Sequence, residues 1–306
     1  MKRLVLIDGH AIIHRAYHAL PVMTLPNGEQ VHAVYGFTSM LFRIVEQLAP
    51  THIAVAFDLS APTFRQALYI AYQSHRPQTD KDLSNQFKLV QDVTVSASIP
   101  VCAVAGFEAD DVIGTIAKQT TVDEVIIVTG DRDILQLVDS KTKVYMPIKG
   151  LSEGRVFEEK DVKETFGISP TQIVDYKALI GDSSDNYPGV PGIGPKTAVD
   201  LLKLFGTFEN IYKAVSKEDK NIKASVIKKL VEGYESGILS KQLAQIEISV
   251  PFKFDLKDSE LEDFKTNEKF IKKLQELRFK SLISRIGAED VAKKLEKHDN
   301  GQIDLI

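Results

Sequence analysis

Nine acidic residues stand where a chain of alternating strands and helices would bring them together. LVLI leads into Asp8, IAVAF into Asp58 and VIIVTG into Asp131, with Asp133 two residues on. Glu108, Asp110 and Asp111 open an amphipathic segment after the next apolar run, and Asp182 and Asp185 lie in the turn GDSSDN. Taken singly, each has an ordinary reading, since acids favour helix N-termini and Asp favours caps and turns. Packed together they would repel and protonate unless a cation neutralised them, so the cluster reads as a metal site. Oxygen ligands without thiolate select Mg²⁺ or Mn²⁺, and Mg²⁺ takes only one or two carboxylates directly. Nine acids suit two ions. At a spacing of about 3.5–4 Å, two ions activate a water and support the leaving oxygen in phosphodiester hydrolysis.

Positioning these acids requires an open α/β sheet, whose ligand crevice lies outside the carboxyl ends of its strands. Strands are expected at Arg3–Ile7, His52–Phe57, Val101–Val104, Glu124–Val128 and Lys143–Met146, with helices between them. Val34, Phe37, Leu41, Ile44, Val45 and Leu48 recur at helical spacing, as do Val112, Ile113 and Ile116. From Glu158 onward helices dominate, beginning with Lys160–Phe166 and Thr171–Ile180. Two regions are therefore expected, a nuclease-like α/β domain over 1–185 and a helical DNA-binding region over 186–306. The polar stretch over about 62–84 looks like an excursion across the sheet.

A second feature is the run PGVPGIGPKTA from Pro188 to Ala198, ahead of an apolar helix, Val199–Phe205. A Walker loop is excluded because Pro195 follows Gly194 where its lysine would stand, and no strand leads in. A helix-hairpin-helix fits better: Gly192 and Gly194 permit the turn, and the next helix offers its first N–H groups to a phosphate. Such a device reads backbone rather than sequence. Lys196 would add a phosphate contact. Lys217, Lys220, Lys223, Lys228 and Lys229 form a basic stripe nearby, read here as binding rather than as a merely solvated face.

The 306 residues are 43% hydrophobic, enough for a real core, which excludes disordered and fibrous classes. The longest apolar runs fall short of a bilayer span and no signal-peptide core opens the chain, so a cytoplasmic protein with no membrane partner is expected. Cys102, the single cysteine, reads as a buried small hydrophobe. The net charge of −4 argues against nucleic acid until it is divided. Residues 1–185 hold 17 Lys+Arg against 23 Asp+Glu and the remainder 21 against 19; without the nine acids, 38 basic residues face 33 acidic ones. The acid is concentrated where metals would sit.

The strings LIDGHAIIHRAYHAL, AVYGFTSML, AVAFD, TFR, GFEADDVIGTIA, IVTGDRDILQLV, LIGDSSDNYPGVPGIGPKTA and LSKQLAQI span nearly the whole chain. In order and spacing they resemble the 5′-nuclease domain of bacterial DNA polymerase I, within the flap endonuclease family. The resemblance implies a PIN-like, mostly parallel sheet with a helical arch, and a C-terminal helical layer containing the helix-hairpin-helix. It implies a structure-selective 5′-nuclease acting on branched or nicked DNA with a 5′ flap or an RNA primer, in replication and repair. A monomer is expected, with a polymerase domain in cis or in trans. Carried over, Asp8, Asp58, Glu108, Asp110 and Asp111 surround the ion that activates water. Asp131, Asp133, Asp182 and Asp185 surround the other, with Asp110 between them. The family also implies a K⁺ ion on hairpin carbonyls, here Gly189 to Gly194.

Two departures matter. The family's arch reads FRHELY, then YK and an arginine, whereas this chain has FRQALY and Tyr72-Gln73. Gln73 thus replaces the lysine expected to stabilise charge on the scissile phosphate, so a slower but active enzyme is expected. Arg65 and Arg76 would steady the phosphate, and Tyr69 or Tyr72 would stack a flap base. His14 stands where the family carries Tyr or Phe, and histidine can still stack. His10, His14 and His18 share one helix face, but zinc needs a third ligand and the nearby acids favour hard metals. Two alternatives remain: a DNA-binding module with weak catalysis, and a PIN-type ribonuclease, which leaves the hairpin unexplained.

Overall fold

The computed structural model describes residues 1–76, 80–149 and 153–299. Residues 77–79 of the expected arch and 300–306 of the C-terminal tail lie outside them.

Six strands form one sheet: β1 (Arg3–Asp8), β2 (His52–Ala56), β3 (Val101–Cys102), β4 (Glu124–Val128), β5 (Thr142–Lys149) and β6 (Glu153–Phe157), in the order β3-β2-β1-β4-β5-β6. The first five run parallel and β6 is antiparallel to β5. Because successive side chains point to opposite faces, the central strands feed two separate cores. Val5, Ile7, Ile53, Val55, Ile126 and Val128 enter one; Leu4, Leu6, Ala54, Ala56, Val125 and Ile127 enter the other.

Helices cover both faces: α1 (Gly9–Ala19), α2 (His32–Leu48), α3 (Phe64–Leu68), α4 (Lys81–Ser96), α5 (Ala109–Gln119) and α6 (Glu159–Phe166). The C-terminal layer contains α7 (Ile173–Ile180), α8 (Pro195–Phe205), α9 (Phe208–Val215), α10 (Ala224–Glu232), α11 (Tyr234–Ala244), α12 (Glu268–Glu276), α13 (Lys280–Arg285) and α14 (Glu289–Asp299). Although α7 precedes position 185, it packs on α8 and α11. The described part of the excursion holds the short α3, a series of turns and the start of α4.

The strands agree with the sequence reading except at three places: β6 lies outside it, β3 ends at Cys102 rather than Val104, and β5 runs on to Lys149 rather than ending at Met146. Cys102 is buried, and burial pushes its thiol up to about 12, as expected of a core residue. Among the described residues, no helix is long and apolar enough to cross a membrane.

Candidate active site

Asp8 ends β1 and pairs in register with Ala56, so Asp58, two residues beyond β2, lies at the same sheet edge. This edge opens on a cleft of about 540 Å³ lined by Asp8, Asp58, Glu108, Asp110, Asp131 and Asp185, with His10, His14, Gln73 and Arg76 at its walls. Asp8 caps α1 by accepting from the Ala11 N–H at 3.0 Å and accepts from Thr129 Oγ1 at 2.7 Å. Thr129 Oγ1 in turn accepts from the Asp131 N–H at 3.0 Å. This fully buried hydroxyl therefore ties the ends of β1 and β4 together. Nothing in the sequence marks Thr129, because a threonine at the end of a strand looks ordinary.

Asp58 accepts from the Ala109 N–H at 2.7 Å, fixing it to the start of α5. Burial, reinforced by neighbouring carboxylates, pushes Asp8 up to about 7. Asp110 lies well above the ordinary range through burial and the charges of Asp131 and Asp8, and burial also raises Asp131. Among the described residues, no Lys or Arg side chain is ion-paired with Asp8, Asp110 or Asp131. As the side chains of the described residues stand, no three His, Cys, Asp or Glu groups among them converge closely enough to hold an ion directly. That includes His10, His14 and His18: His10 packs on Phe57 and Phe87, and His14 meets Phe87 edge-on.

The other acids are committed to cations of the protein itself. Asp111 is fully buried and takes both arms of Arg65 at 2.8 Å. Arg65 Nη1 also donates to Glu108 at 3.0 Å, Nη2 to the Gln245 carbonyl at 2.8 Å, and Nε to the Leu243 carbonyl at 2.9 Å. All five guanidinium donors are used. Two expectations are therefore corrected: Arg65 does not face a phosphate, and Asp111 is not positioned as a metal ligand. Glu108 keeps a place in the cleft, and burial pushes it up to about 7 despite Arg65.

The expected second set is divided in the same way. Lys177 on α7 pairs with Asp133 at 2.6 Å and with Asp182. Burial and Asp131 push Asp133 up to about 6; Asp182 is opposed by burial but drawn down to about 2 by Lys177 and Ser184. Asp185 accepts from Arg76 at 2.6 Å, from the Tyr72 hydroxyl at 3.1 Å and from Gln73 Nε2 at 3.3 Å. Tyr72 is buried and lies parallel to Tyr187 with centroids 6.5 Å apart, so it cannot stack a flap base. Tyr69 is half-buried against the same cluster. Arg76 keeps 55% of its side chain exposed and remains free to turn toward a ligand.

The hairpin joins α7 to α8. Gly192 has φ +79°, whereas Gly194 is an N-cap at φ −99° with open space around its α-carbon, so only the first needs to be glycine for the turn. The tight approach lies elsewhere: a β-carbon on Gly189, at φ +64°, would stand 2.2 Å from the Gly181 nitrogen. Pro195 at N1 brings no donor. Lys196 follows it and is exposed. Lys217, Lys220, Lys223 and Lys228 are exposed as well. Lys229 donates to the Gly192 carbonyl at 2.9 Å, and Ser236 Oγ donates to the Gly189 carbonyl at 2.5 Å. At Gly192, the position expected to face K⁺, the positive charge is thus the ammonium of Lys229.

The 5′-3′ exonuclease N-terminal resolvase-like domain matches residues 3–167, and the 5′-3′ exonuclease C-terminal SAM fold matches residues 168–267. DNA polymerase I of Bacillus caldotenax is 40% identical over 288 residues, and that of Bacillus subtilis 38% over 291. These matches cover 93% and 94% of the chain but 32% of each relative, so the chain spans about a third of their length. Among solved structures, the bacteriophage T5 flap endonuclease in complex with DNA and metal ions superposes with a TM-score of 0.65 at 18% identity, covering 95% of this chain and 100% of that one. The catalytic core of Rad2 in complex with DNA substrate gives 0.57 at 17% identity, covering 93% and 91%.

Proposed function

The chain belongs to the 5′-3′ exonuclease family, hydrolases of phosphodiester bonds, and from that premise we propose that it is a structure-selective 5′-nuclease. Its substrates are 5′ flaps and 5′ ends of DNA, RNA primers included, cut with divalent metal in replication and repair. The chain would serve as the nuclease portion of a DNA polymerase I. The observation that carries this reading is the convergence of Asp8, Asp110 and Asp131, from three separate elements, in one cleft with no ion-paired cation of the protein.

Acids pushed toward neutrality by burial and then by one another are the donor set that a divalent cation would restore to charge. Mg²⁺ or Mn²⁺ held by one or two of them, with water completing its shell, would activate the attacking water and stabilise the leaving oxygen. The chain's own residues prepare that event. Thr129 and the Ala11 N–H hold Asp8, and the Ala109 N–H holds Asp58, so both carboxylates are oriented before substrate arrives. Arg76 and Gln73, at the cleft wall on Asp185, are placed to exchange that carboxylate for the scissile phosphate. The start of α8, Lys196 and the exposed lysines would hold the duplex by its backbone.

Incubation of the chain with labelled 5′-flap DNA and with single-stranded RNA, with and without Mg²⁺, tests the reading; Asp131→Asn with Asp133→Asn is the control. Mg²⁺-dependent flap cleavage lost in the control is expected. Binding without cleavage would leave a DNA-binding module instead, and preference for RNA a ribonuclease.

A further inference from the structure

Lys177 is paired with two of the four acids expected to serve a second ion. Its Nζ bridges Asp133, the first residue of a short 3-10 helix after β4, and Asp182, in the turn after α7. The three side chains are only 17%, 17% and 13% exposed, so water does little to screen them. Asp182 is fixed further by the Ser184 N–H at 2.7 Å and the Asp185 N–H at 3.2 Å, and Asp133 N–H donates to Asp131 at 2.8 Å. One oxygen of Asp133 and one of Asp182, beside the cleft that Asp131 and Asp185 line, are thus already held by a cation that the chain carries itself.

We propose that Lys177 is a built-in competitor for the second divalent ion. The proposal rests on the two-ion reading above. With the ammonium in place, Asp133 and Asp182 are taken, and a first ion is left to the acids that carry no ion-paired Lys or Arg, such as Asp8 and Asp110. A second ion enters only when Lys177 withdraws from Asp133 and Asp182, because ammonium and ion need the same oxygens and repel one another. Lys177 lies on the helix that leads into the hairpin, so a movement of that helix on a DNA backbone would also move the ammonium. The second ion would then be admitted only with substrate bound. Lys177 acts here as a positioning residue and not as a catalytic one.

The test counts bound Mn²⁺ by electron paramagnetic resonance and by calorimetry, without DNA, on wild type, Lys177→Met, Lys177→Arg and Asp8→Asn. Wild type and Lys177→Arg should bind one ion tightly and a second weakly. Lys177→Met should bind the second about tenfold tighter or more, since it removes a like charge a few ångströms from the ion. If Lys177→Met melts, Lys177→Gln, which keeps a hydrogen bond but no charge, serves in its place. An unchanged second affinity in Lys177→Met, with two ions still bound, would overturn the competition and leave the two-ion reading standing. A single ion in every variant, or a first ion undiminished by Asp8→Asn, would overturn both.

Discussion

Arg65 and Asp111, 46 positions apart in the chain, form a two-armed ion pair beneath the floor of the cleft, with both side chains almost wholly buried. The pair joins the foot of the excursion to α5. Through the Leu243 and Gln245 carbonyls it also reaches the C-terminal layer. Removing one partner strands a buried charge, so Arg65→Ala and Asp111→Ala should each lower stability by about 3–5 kcal/mol in urea unfolding. Arg65→Met combined with Asp111→Leu should recover most of that loss. A destabilisation under about 1 kcal/mol in either single variant would contradict the structural role, because it is the range of exposed pairs.

In the metal-free protein the buried acids should cost stability as pH rises. Asp8 and Glu108 are pushed to about 7 and Asp133 to about 6, against ordinary values of 3.8 for Asp and 4.5 for Glu. Between those ordinary values and pH 7 the folded chain binds more protons than the unfolded one, so unfolding free energy falls with pH across that window. Asp182, drawn down to about 2, acts in the opposite sense, and only below about pH 4. His10, His14, His32 and His52, held low by burial, act in the opposite sense below about pH 6.5. The acids' share is therefore read as a difference: without metal, the melting temperature of wild type relative to Asp8→Asn should fall between pH 5 and pH 7.5, and Mg²⁺ should raise that of wild type more at pH 7.5. A relative melting temperature that does not fall would count against the cluster.

Gln73→Lys should speed single-turnover cleavage on the order of ten- to a hundredfold by adding a charge at the scissile phosphate. Gln73 already adopts φ +55°, and its amide lies 3.3 Å from Asp185 at the cleft wall, so the longer side chain starts from the same place. An unchanged rate would refute this view of the excursion.

On the proposed backbone contact of Lys196, Lys196→Ala should weaken duplex binding uniformly across sequences and reduce the slope of log affinity against log salt by about 1. Lys229→Met should instead loosen the hairpin, because its ammonium is spent on the Gly192 carbonyl. Its affinity loss should be recovered in part by K⁺. Fluorescence anisotropy over a salt series distinguishes the two.

The parallel strands and their terminal acids were legible because apolar runs and the residues that end them are contiguous in sequence. β6 was not, since Glu-Gly-Arg-Val-Phe is a half-exposed edge strand whose pairing with β5 is its only reason to be extended. The site was half legible. Asp8, Asp58, Glu108, Asp110, Asp131 and Asp185 do share a cleft. Which acids are already neutralised is a tertiary matter: Arg65 and Lys177 look like ordinary helical cations until the fold brings Asp111, Asp133 and Asp182 to them. Tyr72 was misread because an aromatic residue in a polar stretch gives no sign that it will be buried.

The central claim is that the acids at the end of the sheet work on a 5′ DNA end through a divalent cation. Single-turnover cleavage of a 5′-flap duplex by wild type and Asp110→Asn, across a Mg²⁺ titration and with chelator, tests it most directly. 5′-Phosphorylated fragments are expected, formed at a rate that rises with Mg²⁺ and falls at least a hundredfold in Asp110→Asn. Cleavage that persists in chelator, or an Asp110→Asn rate equal to wild type, would contradict it.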